Sequence, residues 1–196
     1  MNLARFLRKN RTIVTGMVPV AIAGGFWLSD VRPMTGWLAA GSALALAGEG
    51  VRLWAAGHLV KRSALTASGP FAHTRHPLYW GSALIAVGLC VASRMWWTYA
   101  LVALIFAVFY VPTALYEETW MRRRYGKAYR RYCEAVPRIG VRLRPYRDTE
   151  VARCANPDGD FRWRRIPRNR EQQTAAGTLL VLAAMWAKLI VVGGVL

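Results

Sequence analysis

Five runs of the chain are almost wholly apolar, and arginine-rich polar stretches fill the intervals between them. The runs are Thr12–Ser29, Met34–Gly57, Leu78–Ser93, Met95–Leu115 and Thr174–Leu196. A helix takes roughly 17–25 residues to cross the hydrocarbon layer of a bilayer, so each run reads as a membrane span. The third is short and relies on Pro77 to start its helix. Only the Ser93-Arg94 corner separates it from the fourth, which predicts a helical hairpin. The first run lacks a small-residue cleavage site and is followed by equally apolar spans, so it does not read as a signal peptide.

After Leu115 the period changes. Met121, Tyr125, Ala128, Tyr129, Tyr132 and Val136 recur at three- and four-residue spacing, while Arg122, Arg123, Lys127, Arg130 and Arg131 fall mostly on the other side. That pattern predicts a helix from Glu117 to about Val136 lying at the membrane interface. Gly126 inside it costs roughly 1 kcal/mol relative to Ala and marks a kink or a close approach. From Pro137 to Gln173 the chain reads as irregular, with Pro145, Pro157, Pro167 and a turn at Asn156-Pro157-Asp158-Gly159. A connection of that length suits a lid or binding loop, and Phe161 and Trp163 suit a membrane-surface segment. The expected architecture is all-α: an integral membrane bundle of about five transmembrane helices with a cytoplasmic interfacial helix. Its expected division is a four-span bundle over residues 1–115, a cytoplasmic helix and loop over 116–173, and a C-terminal transmembrane helix over 174–196.

Charge orients this picture. Lys and Arg number 27 against 10 Asp and Glu, a formal net charge of +17. Arg5, Arg8, Lys9 and Arg11 precede the first run, Lys61, Arg62 and Arg75 lie between the second and third, and 16 more basic residues lie between Tyr116 and Gln173. The opposite side holds Arg32 and Arg94. The positive-inside rule then places the N-terminus and the long basic region in the cytoplasm, as expected for the inner or plasma membrane of a bacterium. Such a face adheres to anionic headgroups at about 1 kcal/mol per cation near the surface. No nucleic-acid-binding module is recognisable, so nucleic acid is not an expected partner. Cys90, Cys133 and Cys154 are isolated and form neither a disulfide framework nor a zinc spacing; no metal is expected.

Three clusters carry candidate chemistry. In GPFAHTRHPLYWG (Gly69–Gly81), His76 precedes Pro77 and is biased away from the α region, so His73, Arg75 and His76 sit just before a helix N-terminus. Backbone N–H groups there favour anions, and the arginine adds to them, whether the anion is a lipid phosphate or a dedicated ligand. Glu117 and Glu118 stand in an arginine-rich region, either as partners for Arg122 and its neighbours or as acceptors for a cationic or hydroxyl-rich ligand. Glu49 and Arg52, at i and i+3 within the second run, share a helix face as an ion pair or a site. Gly48 and Gly50 suit close helix packing, and Lys188 suits snorkelling or a place lining the bundle.

Read together, these clusters resemble a known family. Gly69-Pro70-Phe71 followed by Arg75-His76-Pro77-Leu78-Tyr79-Trp80-Gly81 resembles the GPY…RHPxYxG signature of the isoprenylcysteine carboxyl methyltransferase family. Glu117-Glu118, Tyr125-Gly126-Lys127-Ala128-Tyr129, Tyr132 and Val136-Pro137-Arg138 resemble its EE…FGxxYxxY…VPR block, and Arg52-Leu53-Trp54-Ala55-Ala56-Gly57-His58-Leu59 its RLWAxGxL segment. Phospholipid N-methyltransferases of the wider superfamily share the Arg-His-Pro and Glu-Glu elements. The resemblance implies an integral membrane enzyme using S-adenosylmethionine. It implies cofactor-binding roles for His76, Pro77, Tyr79, Gly81, Glu117, Glu118 and Tyr129, with His76 facing the carboxylate and the glutamates the ammonium or ribose. Arg75 and Arg138 are the candidates to hold the acceptor, and Glu49, Arg52, Trp54 and His73 are candidates on its side of the site. The chain departs from the pattern in its segment after Gly140, its further span, and Tyr125 in place of the usual Phe.

The expected reaction is methyl transfer to a lipid or prenylated, lipophilic acceptor, as O-methylation of a carboxylate or, alternatively, N-methylation of a phospholipid. Two other classes stay open: a sterol-reductase-like enzyme using NADPH, and a non-enzymatic scaffold or transporter built on Glu49, Arg52 and Lys188. The sequence leaves the oligomeric state open.

Overall fold

The computed structural model describes residues 3–60, 64–149, 151 and 160–193, with side chains from residue 16 onward. Among these residues the regular elements are helical. They are α1 (Leu3–Leu28), α2 (Thr35–His58), a 3-10 turn (Gly69–Ala72), α3 (Pro77–Ser93), α4 (Trp96–Ile105), a π-helical turn (Phe106–Tyr110), α5 (Val111–Ala135), α6 (Arg165–Arg168) and α7 (Glu171–Gly193). The sequence expectation holds at several boundaries. Helix α3 begins at Pro77, whose missing N–H is no loss in a first turn. It ends at Ser93, where Arg94 turns the chain with a φ of 57° and α4 follows from Trp96.

Other boundaries differ. The helix expected to start anew at Glu117 is instead continuous with α4: Trp96–Ala135 forms one run of 40 residues, because nothing between Leu115 and Tyr125 breaks it. The break falls at Gly126, whose φ of 49° and ψ of −116° are non-helical. A Cβ added there would meet nothing within 4 Å, so Gly126 marks a kink and not a close approach. The turn expected at 156–159 lies outside the described residues.

Of the five runs, Trp96–Ala135 and Glu171–Val192 form helices long and apolar enough to cross a membrane. Gly16–Leu28 and Pro77–Ser93 are apolar but shorter. Helix α2 has 24 residues, but its glycines, Glu49 and Arg52 dilute its apolar content.

The chain divides into two compact units that do not follow chain order: residues 1–49, 81–113 and 173–196 in one, and 50–80 and 114–172 in the other. The first has a core of Ile22, Phe26, Leu38, Ala45, Ile85, Leu89, Met95, Leu182 and Met185. There α2 and α3 approach backbone to backbone: a Cβ on Gly48 would lie 2.6 Å from the Gly81 carbonyl oxygen, and one on Gly88 2.5 Å from that of Gly41. Small residues let helices meet this closely where a bilayer supplies no hydrophobic drive. Lys188 of α7 is buried and donates to the Phe26, Ser29 and Val31 carbonyls at the end of α1, with Nζ 4.5 Å from the centre of the Phe26 ring. Glu49 accepts a hydrogen bond from Thr178 at 3.2 Å in the same unit.

The second unit packs Leu65, Tyr129, Tyr132, Val136 and Val151 together, with Met121, Tyr125, Ala128 and Tyr146 against them. The apolar stripe of α5 is thus the one the spacing predicts. It packs against Leu65, Ala67, Tyr146 and Val151 of the same unit.

Candidate functional site

The second unit gathers the Arg-His-Pro and Glu-Glu segments around one carboxylate. Glu118 is 3% exposed. Arg138 holds it in a two-pronged fork, Nε to Oε1 at 2.8 Å and Nη2 to Oε2 at 2.6 Å, the geometry that suits guanidinium to carboxylate. His76 donates from Nε2 to Oε1 at 3.1 Å, and Arg75 Nη1 lies 3.4 Å from each oxygen. Arg122, one turn along α5, is 3.9 Å away. Burial alone would raise the pKa of this carboxyl, but the Arg138 and His76 hydrogen bonds and the Arg75 and Arg138 charges outweigh it, holding the group well below the usual carboxylate range. The same contacts raise the pKa of the Arg138 guanidinium.

Arg75 does more than face Glu118. Its Nε donates to the Val136 carbonyl at 2.7 Å and its Nη2 to that of Cys133 at 2.5 Å, while its backbone N–H donates to Pro137 at 3.1 Å. Cys133 and Val136 lie at the C-terminal end of α5, where orphan carbonyls and the helix dipole favour a cation. One guanidinium therefore caps α5 and ties it to the segment leading into α3. Tyr132 adds a second tie, its hydroxyl donating to the Phe71 carbonyl at 2.7 Å. Burial first, then the neighbouring Cys133, raises the pKa of that phenol, so it stays a donor.

Beside this hub, the Tyr79 hydroxyl donates to Glu117 at 2.9 Å, and the His76 and Tyr79 rings stack with centroids 5.2 Å apart and planes 5° apart. Glu117 is exposed, unlike Glu118. His73 donates from Nδ1 to the Arg142 carbonyl at 2.6 Å and accepts the Arg142 N–H at its own carbonyl at 2.9 Å, fixing the loop after α5 along the 3-10 turn. Trp54 lies 6.4 Å from His73, centroid to centroid. Two hydroxyls in these segments, Thr74 Oγ1 and Tyr125 Oη, are buried without a hydrogen-bond partner among the described residues. Leaving such a group unpaired costs about 1–3 kcal/mol.

The remaining candidates are placed elsewhere. Tyr129 is 3% exposed in the core of the unit, its pKa raised by burial. Pro77 is fully buried at the start of α3. Gly81 belongs to the first unit, where its carbonyl faces Gly48. Arg52 makes a 2.6 Å ion pair with Glu171 and a 3.3 Å bond to the Leu78 carbonyl.

Several residues that hold this region together escaped the sequence reading. The end of α2 is capped from far along the chain: Asn169 donates to the Ala56 and Leu59 carbonyls at 2.9 and 3.2 Å, and Arg165 to that of Gly57 at 3.2 Å. Phe161, read from the sequence as part of a membrane-surface segment, instead fills the space over Gly57 and lies 5.7 Å from His58. The one available signal was Glu171, an acidic residue in a basic stretch.

Residues 34–128, which hold the Arg-His-Pro and Glu-Glu segments, match the family model of phospholipid methyltransferases. A curated relative, the cobalt-zinc-cadmium resistance protein CzcN of Cupriavidus metallidurans, is 30% identical over 144 residues, 70% of this chain. The alignment spans 64% of that relative's length. No solved structure matches.

Proposed function

We propose that this protein is a membrane methyltransferase that uses S-adenosylmethionine to methylate a lipophilic acceptor. The family match of residues 34–128 supports the methyltransferase reading. The observation that carries the site is the junction of the two motif segments across 42 residues, through His76 to Glu118, with Tyr79 reaching Glu117 alongside.

The donor set fits the cofactor. Glu117 is exposed and suits its ammonium or ribose hydroxyls. The stacked His76 and Tyr79 rings suit adenine or the sulfonium, to which cation–π attraction contributes about 0.5–2 kcal/mol. Thr74 and Tyr125 leave two buried hydroxyls to be satisfied. Glu118 suits a different task from Glu117, because both its oxygens are already engaged by Arg138, His76 and Arg75. It positions those cations. When bound, the cofactor supplies an electrophilic methyl group for an in-line displacement. The chain's part is to align acceptor and donor and to exclude water. Arg138, with a side chain 43% exposed, is placed to meet a carboxylate or phosphate on the acceptor. An amine acceptor needs a base instead, for which Glu117 is the accessible carboxylate.

The test is incubation with methyl-labelled S-adenosylmethionine and total membrane lipid, with calorimetry of S-adenosylhomocysteine binding alongside. Micromolar-range binding and a labelled lipid are expected. A folded sample that binds no S-adenosylhomocysteine and labels nothing overturns the reading; stabilisation by NADPH alone selects the reductase class. A role in metal tolerance, suggested by the relative's name, has no specific observation in its favour: among the described residues no three His, Cys, Asp or Glu side chains are grouped to hold an ion.

A further inference from the structure

Helix α5 carries a feature that the methyl-transfer reading leaves unused. A recess of about 370 Å³ opens on it, lined by Thr119, Arg122, Arg123, Gly126 and Arg130. Thr119, Arg122 and Arg123 precede the bend at Gly126 and Arg130 follows it, so the lining comes from both sides of the kink. Gly126, in the middle, has no side chain and bends the helix, so the notch lies between the arginines on either side of it. None of the described residues occupies the space where a Cβ would sit. The glycine is there for its backbone conformation, a φ of 49° followed by a ψ of −116°, and the open notch is the result.

Three guanidiniums so close together repel one another unless an anion joins them. Arg122 has Glu118 at 3.9 Å, an oxygen that Arg138 already holds at 2.6 Å. Arg123 and Arg130 are exposed and make no ion pair among the described residues. Arginine binds phosphate through its planar fork of donors, whereas the Thr119 hydroxyl at the rim already donates to the Leu115 carbonyl at 2.8 Å. S-adenosylmethionine does not suit this lining, because its sulfonium and ammonium leave it a net cation beside its one carboxylate.

We infer that the recess at the Gly126 bend binds a phosphate group, as the phosphodiester of a phospholipid headgroup or as a soluble phosphate. It adjoins the His76–Glu118 hub through Arg122, and it holds whether or not the chain transfers methyl groups.

The test uses the full chain in detergent and native mass spectrometry, counting bound phosphatidylglycerol against diacylglycerol, which lacks the phosphate, with inorganic phosphate as competitor. The wild type is expected to retain phosphatidylglycerol. Arg123→Gln with Arg130→Gln should weaken retention about tenfold, as expected when charge-assisted hydrogen bonds are lost, while Arg94→Gln, an exposed arginine of the other unit, leaves it unchanged. Displacement by millimolar inorganic phosphate identifies phosphate alone as sufficient; no displacement identifies the lipid as the source. Gly126→Ala should weaken retention too, and if that variant does not fold the arginine pair decides. Retention that is absent in the wild type under both probes overturns the inference. So does retention that survives the double substitution, or that falls equally with Arg94→Gln.

Discussion

Glu118 is the residue whose surroundings contribute most to the site, and its value depends on being charged. Replacing it with Gln keeps the shape but leaves Arg75 and Arg138 facing a neutral amide in a place 3% exposed. Breaking one side of a buried ion pair costs about 3–5 kcal/mol, a figure that Arg138's exposure reduces, so a loss of about 2 kcal/mol is expected in thermal unfolding. The sign of the pH dependence follows from the depressed pKa. The folded protein holds the carboxylate more tightly than the unfolded chain does, so this stability is fully present above the ordinary carboxylate pKa of 4.5 and is lost as pH falls below it. Unfolding measured from pH 7 to pH 3 should show a steeper acid loss in the wild type than in Glu118→Gln. Arg75→Lys should be nearly as damaging as Arg75→Ala. A lysine keeps the charge but cannot reach Val136, Cys133 and Glu118 at once; a lysine variant as stable as the wild type would refute the capping role.

At the scale of elements, the apolar runs and the stripe on α5 were legible because period and hydropathy are local properties. The start of α3 at Pro77 and its end at Ser93-Arg94 were legible for the same reason. The continuity of α4 into α5 was not, since two glutamates look like a membrane edge but are ordinary helix formers. Nor was the capping of α2 by Asn169 and Arg165, more than 100 residues away, which depends on tertiary placement alone. Glu118 and Arg138 were named as candidates from their motifs, but their fork depends on how the chain beyond α5 turns back to a residue inside that helix, which spacing does not encode. Two predictions belong here. Gly126→Ala meets no steric block but must adopt a backbone conformation that L-residues avoid, so it should destabilise by about 1–3 kcal/mol. A double-mutant cycle on Arg52→Met and Glu171→Gln should give a coupling of about 1–3 kcal/mol, because the pair is 14% and 9% exposed; a value near zero would mean the pair is only incidental.

For the whole molecule, the distribution of arginine predicts a topology that reporters can read. An alkaline phosphatase fused after Arg147 should be inactive, and one fused after Arg94 active, if the long basic region faces the cytoplasm. The reverse result would invert the orientation. The division into two units was not legible in the sequence, because each helix was read as one object while α2, α3, α5 and α7 are each shared between the units.

The contacts of Lys188 bear on how the protein is made. The carbonyls it covers belong to Phe26, Ser29 and Val31, which leave the ribosome 162 to 157 residues earlier. At synthesis rates of about 5–20 residues per second, the end of α1 waits on the order of ten seconds for its ammonium partner. During that interval the Ser29 and Val31 carbonyls need water, headgroups or an insertion chaperone, while that of Phe26 already accepts the Ser29 hydroxyl. The first unit therefore closes only after α7 arrives, and a nascent chain halted before residue 188 should be far more open to proteolysis near residue 30 than the finished one.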